Sequence, residues 1–294
     1  MELVCSLTII TDIWKKSTDV KLRVNNAIFY EQKNTSQEFL DDVKTYFHAE
    51  LYNVSFDPAK KEILLPSIQE WIAKYTTARG YNLIDLVRDA NGYMQFSMLT
   101  FTACWDKLKT FANPANTLYF KTTYNTVIKV QTFNSKETVG YYNNSELKYE
   151  AIRLPFKNNE FVMIILLPYP DQPLRSISKF SIPQYLQLFG NVSTNNENID
   201  YAIPVMMNSP VFSLNENGTS INGDAIVCDS FLTQKTLNEN KIDYKPFYVD
   251  RPFGLLIYDE KMRYVLVHTW VKNPITSFSN PDSHMQWNLA IMND

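Results

Sequence analysis

Seven consecutive apolar residues, Phe161 to Leu167, run up to Pro168 without a polar residue to face water. The run is too short for a helix, and a proline closes it. It fits a β-strand buried on both faces. A strand of that kind needs other elements on each side of its sheet, which takes a substantial chain. The 294 residues, 45% of them apolar, can bury such a core.

Around this run the hydrophobic period changes along the chain. Leu3, Leu7, Ile10 and Trp14 recur at helical spacing, so residues 2–16 read as an amphipathic helix. Val20, Leu22 and Val24 alternate with charged neighbours and continue into Ala27-Ile28-Phe29-Tyr30, predicting a strand over 20–31. Thr35 with Glu38 reads as a capping box before a helix whose apolar face is Phe39, Leu40, Val43 and Phe47. Tyr52, Val54 and Phe56 alternate as a short strand, and Pro66 is placed near the start of a helix burying Ile68, Trp71, Ile72 and Tyr75.

Beyond Gly92 the Thr-, Tyr-, Phe- and Val-rich stretches 94–104, 118–133, 137–142 and 147–156 predict strands. A short helix over 177–188 closed by Gly190 follows, then strands at 200–206, 210–216, 247–258 and 263–271. Helices dominate the first third and strands the rest, with no βαβ alternation. The pattern implies an α+β fold with mostly antiparallel sheets, and without repeat or linker it reads as one domain, 1–294.

Several functions are disfavoured. The 28 basic and 31 acidic residues nearly balance, and no basic block marks a nucleic-acid partner. Seven glycines make no phosphate-cradling motif. His48, His268 and His284 lie far apart, so no metal or other cofactor is expected. The three widely spaced cysteines, Cys5, Cys104 and Cys228, argue against a disulfide framework and read as two buried thiols and one loop thiol. No G-x-S-x-G elbow supports an enzyme. No apolar run has membrane-spanning length, and the first residues lack the basic region of a signal peptide. The expected location is therefore the cytoplasm, or outside the cell by unconventional release.

An ordered set of motifs carries a resemblance. Val249-Asp250-Arg251-Pro252-Phe253-Gly254-Leu255-Leu256-Ile257-Tyr258-Asp259, then Val265-Leu266-Val267 and Val271-Lys272-Asn273-Pro274, resemble the C-terminal signature of the serpins. Asn215-Glu216-Asn217-Gly218-Thr219 resembles the serpin hinge, and Leu154-Pro155-Phe156-Lys157 with Met163-Ile164-Ile165-Leu166-Leu167-Pro168 resembles a strand pair of the family. Val24-Asn25-Asn26-Ala27-Ile28-Phe29, the helix around Trp71, and Trp105 with Phe111 match in the same order. The resemblance covers roughly 18–274. It implies a shortened serpin that lacks N-terminal helices and has an extra tail, 275–294. The composition and deletions resemble a poxvirus serpin-like protein. The family register puts Ser97 and Ser209 at the shutter, and Thr269 where glycine is typical.

The resemblance implies a mechanism without a catalytic group. A target serine or cysteine protease cuts an exposed loop, here about 218–245, and the loop then enters the large sheet as an added strand. The hinge residues would be Glu216, Gly218, Thr219, Ile221, Gly223 and Ala225. Alternation puts Thr219, Ile221, Gly223, Ala225 and Val227 inward, with Ser220, Asn222, Asp224 and Ile226 outward. Bulky Ile221 would cost roughly 1–3 kcal/mol if overpacked, and Asn222-Gly223-Asp224 has turn character. The expected scissile bond is Leu232–Thr233, with Lys235 a lesser candidate. The alternative is a non-inhibitory serpin-fold protein that binds a host or cellular partner, and on either reading the chain is expected to be a monomer.

Overall fold

The computed structural model describes residues 20–57, 61–76, 87, 92–106, 116–157, 160–206, 212–222, 228 and 242–274. The expected helix 2–16, Phe111, Ser209, Gly223, Ala225, Leu232, Thr233, Lys235 and the tail 275–294 lie outside them. The described residues fall into two compact units, one drawn from Met1–Thr102 and Ser220–Ala225, the other from Ala103–Thr219 and Ile226–Asp294.

The first unit contains β1 (Val20–Tyr30), α1 (Gln37–Phe47), β2 (Glu50–Asn53), α2 (Lys61–Tyr75) and most of β3 (Tyr93–Cys104). Ser36 caps α1 by accepting from Phe39 N, one residue later than the expected box. Thr35 Oγ1 instead donates back to Glu31 O. Pro66 lies inside α2, not near its start. Ala27, Phe29, Ile68, Trp71 and Ile72 bury together with Met94 and Met98, because i, i+3, i+4 spacing on α2 meets every second residue of the strands. β1 and β2 pair in parallel, within a fold whose other strand pairs are mostly antiparallel, as expected.

The second unit is built on a sheet ordered β11-β8-β5-β6-β7-β12-β13, with β4 also beside β5. These are β4 (Thr117–Lys121), β5 (Val127–Asn144), β6 (Tyr149–Pro155), β7 (Phe161–Pro168), β8 (Asn196–Pro204), β11 (Lys245–Tyr248), β12 (Phe253–Asp259) and β13 (Tyr264–Val271). All eight residues of β7 are buried, and β7 pairs antiparallel with β6 and β12. The helix expected at 177–188 is α3 (Ile182–Thr194), with Ser181 and Gln184 as its capping box and Gly190 inside it. Its Tyr185, Leu188, Phe189 and Val192 cover one face of the sheet against Tyr149, Ile164, Tyr258 and Trp270.

Candidate functional site

The site grows from the end of β3. β9 (Phe212–Leu214) leads into β10 (Gly218–Ile221). The intervening residues form a tight turn, in which Asn215 N donates to Gly218 O at 3.0 Å and Gly218 N to Asn215 O at 3.3 Å. The Asn215 side chain accepts from Asn217 N at 2.9 Å, the local bond that makes Asn a turn former. Glu216 occupies the turn itself.

Trp105 secures this turn twice. Its backbone N donates to Asn217 O at 3.1 Å and its indole Nε1 to Asn215 O at 2.9 Å. The ring stacks on Phe156, with centroids 4.7 Å apart and planes 6° from parallel. Gly218 lies so close to β3 that an added Cβ would sit 2.0 Å from Ala103 O, a distance no side chain occupies.

β10 runs antiparallel to β3. Going forward from Asn217 beside Trp105, Thr102 Oγ1 stands 3.3 Å from Ser220 Oγ, and Asn222 Nδ2 donates to Leu99 O at 3.1 Å. All four residues of β10 are buried. This corrects the expectation of an exposed segment starting at 218, because the first four residues have already found strand partners. It also corrects the alternation. Ser220, expected outward, is buried against Thr102, so both faces of β10 are covered. Ile221 is accommodated within the strand. Thr219 is fully buried, and its Oγ1 makes no hydrogen bond among the described residues. Asn222, just after β10, has φ 48°, and Gly223 and Asp224, the rest of the expected turn, lie outside the described residues.

Ser97 is exposed and donates to Asn26 Oδ1 at 2.8 Å, while Asn26 Nδ2 donates to Phe47 O at 2.7 Å. Ser209, the other residue that the family register puts at the shutter, lies outside the described residues, so among those described Ser97 is linked to Asn26 and through it to Phe47. Asn26 was visible in the sequence only as part of a strand motif.

The cysteine expectation is overturned. Cys104 and Cys228 form a disulfide across 124 residues of sequence, with Cα atoms 5.9 Å apart. Such a separation has no local signature. The pair exists because β3 ends beside the turn that launches β10. Cys228 Sγ stands 3.3 Å from Asn217 O, a contact without a hydrogen while the sulfur is bonded to Cys104. Among the described residues, no cluster of His, Cys, Asp or Glu could hold a metal, and no helix is long and apolar enough to cross a membrane.

A family model described as Serpin (serine protease inhibitor) matches residues 5–204. Serpin B10 of Homo sapiens is 27% identical over 175 residues, 58% of this chain and 44% of that protein. Heparin cofactor 2 of Oryctolagus cuniculus is 23% identical over 285 residues, 86% of this chain and 58% of that protein. The chain thus spans about half the length of the curated relatives it matches. Among solved structures, human thyroxine-binding globulin complexed with its hormone superposes with a TM-score of 0.69 at 16% identity, covering 94% of this chain and 81% of that one. Cleaved Serpin 42Da gives 0.70 at 16% identity, over 92% and 81%. Likeness at that identity concerns the fold.

Proposed function

This chain belongs to the serpin family, and we propose that it meets a serine or cysteine protease through the segment after β10 and resists it by lengthening β10 into the sheet. The observation that carries this reading is the register. β10 already lies antiparallel along β3, yet its four residues match only the Cys104 end of a twelve-residue strand. Each further residue laid along β3 would add strand hydrogen bonds of the kind β10 makes. The candidate bond Leu232–Thr233, with Lys235 as second choice, follows far enough behind β10 for such an extension.

A second reading rests on Asn222. Its left-handed backbone ends β10 after one short stretch, which suits a non-inhibitory protein whose segment serves only as a surface for a partner.

The test is proteolytic nicking beyond residue 228 in the presence of a dithiol, with melting temperature measured before and after. A rise of about 10 °C or more fits an added strand. An SDS-resistant complex with the protease supports inhibition, and simple cleavage without a rise supports the second reading.

A further inference from the structure

We infer that the Cys104–Cys228 disulfide is a redox lock that stops β10 from lengthening. The inference rests on the insertion reading above. Each step forward in β10 is matched by a step back in β3, from Asn217 beside Trp105 to Asn222 beside Leu99. Eight residues after Ser220, Cys228 in an extended β10 would stand level with Met94, eight residues before Thr102. Ten residues of strand from Gly218 would carry it about 33 Å along the sheet.

The disulfide holds Cys228 at the opposite end. Its Cα is 5.9 Å from Cys104 Cα, and that same atom lies 3.0 Å from where a Cβ on Gly218 would sit. Cys228 is therefore kept on the order of 10 Å from Gly218. Two sulfurs bonded to each other cannot be reconciled with a separation of some 30 Å. While the bond persists, Gly218 and Cys228 are both held at the Cys104 end of β3. A protease that cuts beyond Cys228 then meets a substrate and not a trap.

Opening the lock takes a dithiol. Two electrons and two protons pass to the protein, the Cys104–Cys228 bond breaks, each sulfur gains a hydrogen, and the dithiol closes to its own disulfide. Cys228 can then leave the end of β3. The Sγ beside Asn217 O becomes a thiol able to donate to that carbonyl, a weak bond that does not hold the segment.

The experiment uses the full chain, nicked between residues 229 and 241 by a subtilisin-type protease, with the cut mapped by mass spectrometry. Melting temperatures are compared for intact and nicked protein, each unreduced, reduced with dithiothreitol, and as Cys228→Ser. The lock predicts a rise of about 10 °C or more in the nicked, reduced protein and in nicked Cys228→Ser, with little change in the nicked, unreduced protein. Should Cys228→Ser not fold, the reduced wild type carries the same test. Equal rises in both redox states overturn the lock and leave the insertion reading standing. No rise under any condition overturns both. A thiol titration that finds Cys104 free in the unreduced chain overturns the lock alone.

Discussion

The indole Nε1 of Trp105 donates to the carbonyl of Asn215 at 2.9 Å, so the last turn before β10 hangs from a ring stacked on Phe156. Trp105→Phe keeps the stacking and removes the donor. We expect a loss of about 1 kcal/mol, the net worth of one neutral hydrogen bond. Urea unfolding followed by circular dichroism should show a lower midpoint at an unchanged slope. Trp105→Ala should cost several times more, since it also empties a buried aromatic site.

Gly218→Ala tests the closeness of β10 to β3. The new methyl would meet Ala103 O at 2.0 Å, a backbone atom that cannot swing aside. The strand must move off or leave, at a cost of about 1–3 kcal/mol. Faster proteolysis at Thr219–Asn222 in the variant is the direct readout, and unchanged resistance there would contradict the close packing.

Thr219→Val addresses the hydroxyl that has no partner among the described residues. The two side chains are nearly isosteric, and the native one buries an unsatisfied oxygen. Valine should be neutral or stabilising by up to about 1 kcal/mol. Thr219→Arg puts a charge in a site with no exposure and should abolish the melting-temperature rise after reduction and nicking.

The strands around β7 were legible in the sequence because burial on both faces leaves a continuous apolar run, and the run marks its own ends at Pro168. α2 announced its buried face through Ile68, Trp71 and Ile72. The stretch 118–133, read as one strand, is β4, a turn closed by Thr122 and Thr126, and the start of β5, while β5 itself runs on through the gap expected at 134–136. Pairing with β8 carries the strand straight through it, as tertiary partners outweigh local preference. The stretch Asn215–Thr219 was legible as a motif, but the burial of β10 was not, since its four residues suit a loop or a central strand. The disulfide left no trace in spacing. Asn26, the partner of Ser97, lies 71 residues away and could not be picked out by type alone.

The last prediction concerns acid. His268 sits with Trp270 against it at 4.4 Å between ring centroids and the Tyr185 hydroxyl 3.4 Å from its ring nitrogens. Burial pushes the imidazole down to about 4 from its ordinary 6.5. The unfolded chain therefore takes a proton at a pH where the folded one refuses it. Stability contributed by the neutral ring is present above 6.5 and lost as pH falls toward 4, by about 2 kcal/mol between pH 7 and pH 5. Glu50 acts in the same direction at lower pH. Burial alone would raise it, but hydrogen bonds from Tyr52, Tyr75 and Lys74 outweigh that and hold it at about 2. Its contribution, reduced by partial exposure, is present above 4.5 and fades as pH falls toward 2. The two are separable with His268→Phe, which cannot titrate. In urea unfolding at pH 7 and pH 5, wild type should lose stability on acidification and His268→Phe should lose about 2 kcal/mol less. Equal losses in both proteins would mean that the ring is not held neutral by its surroundings.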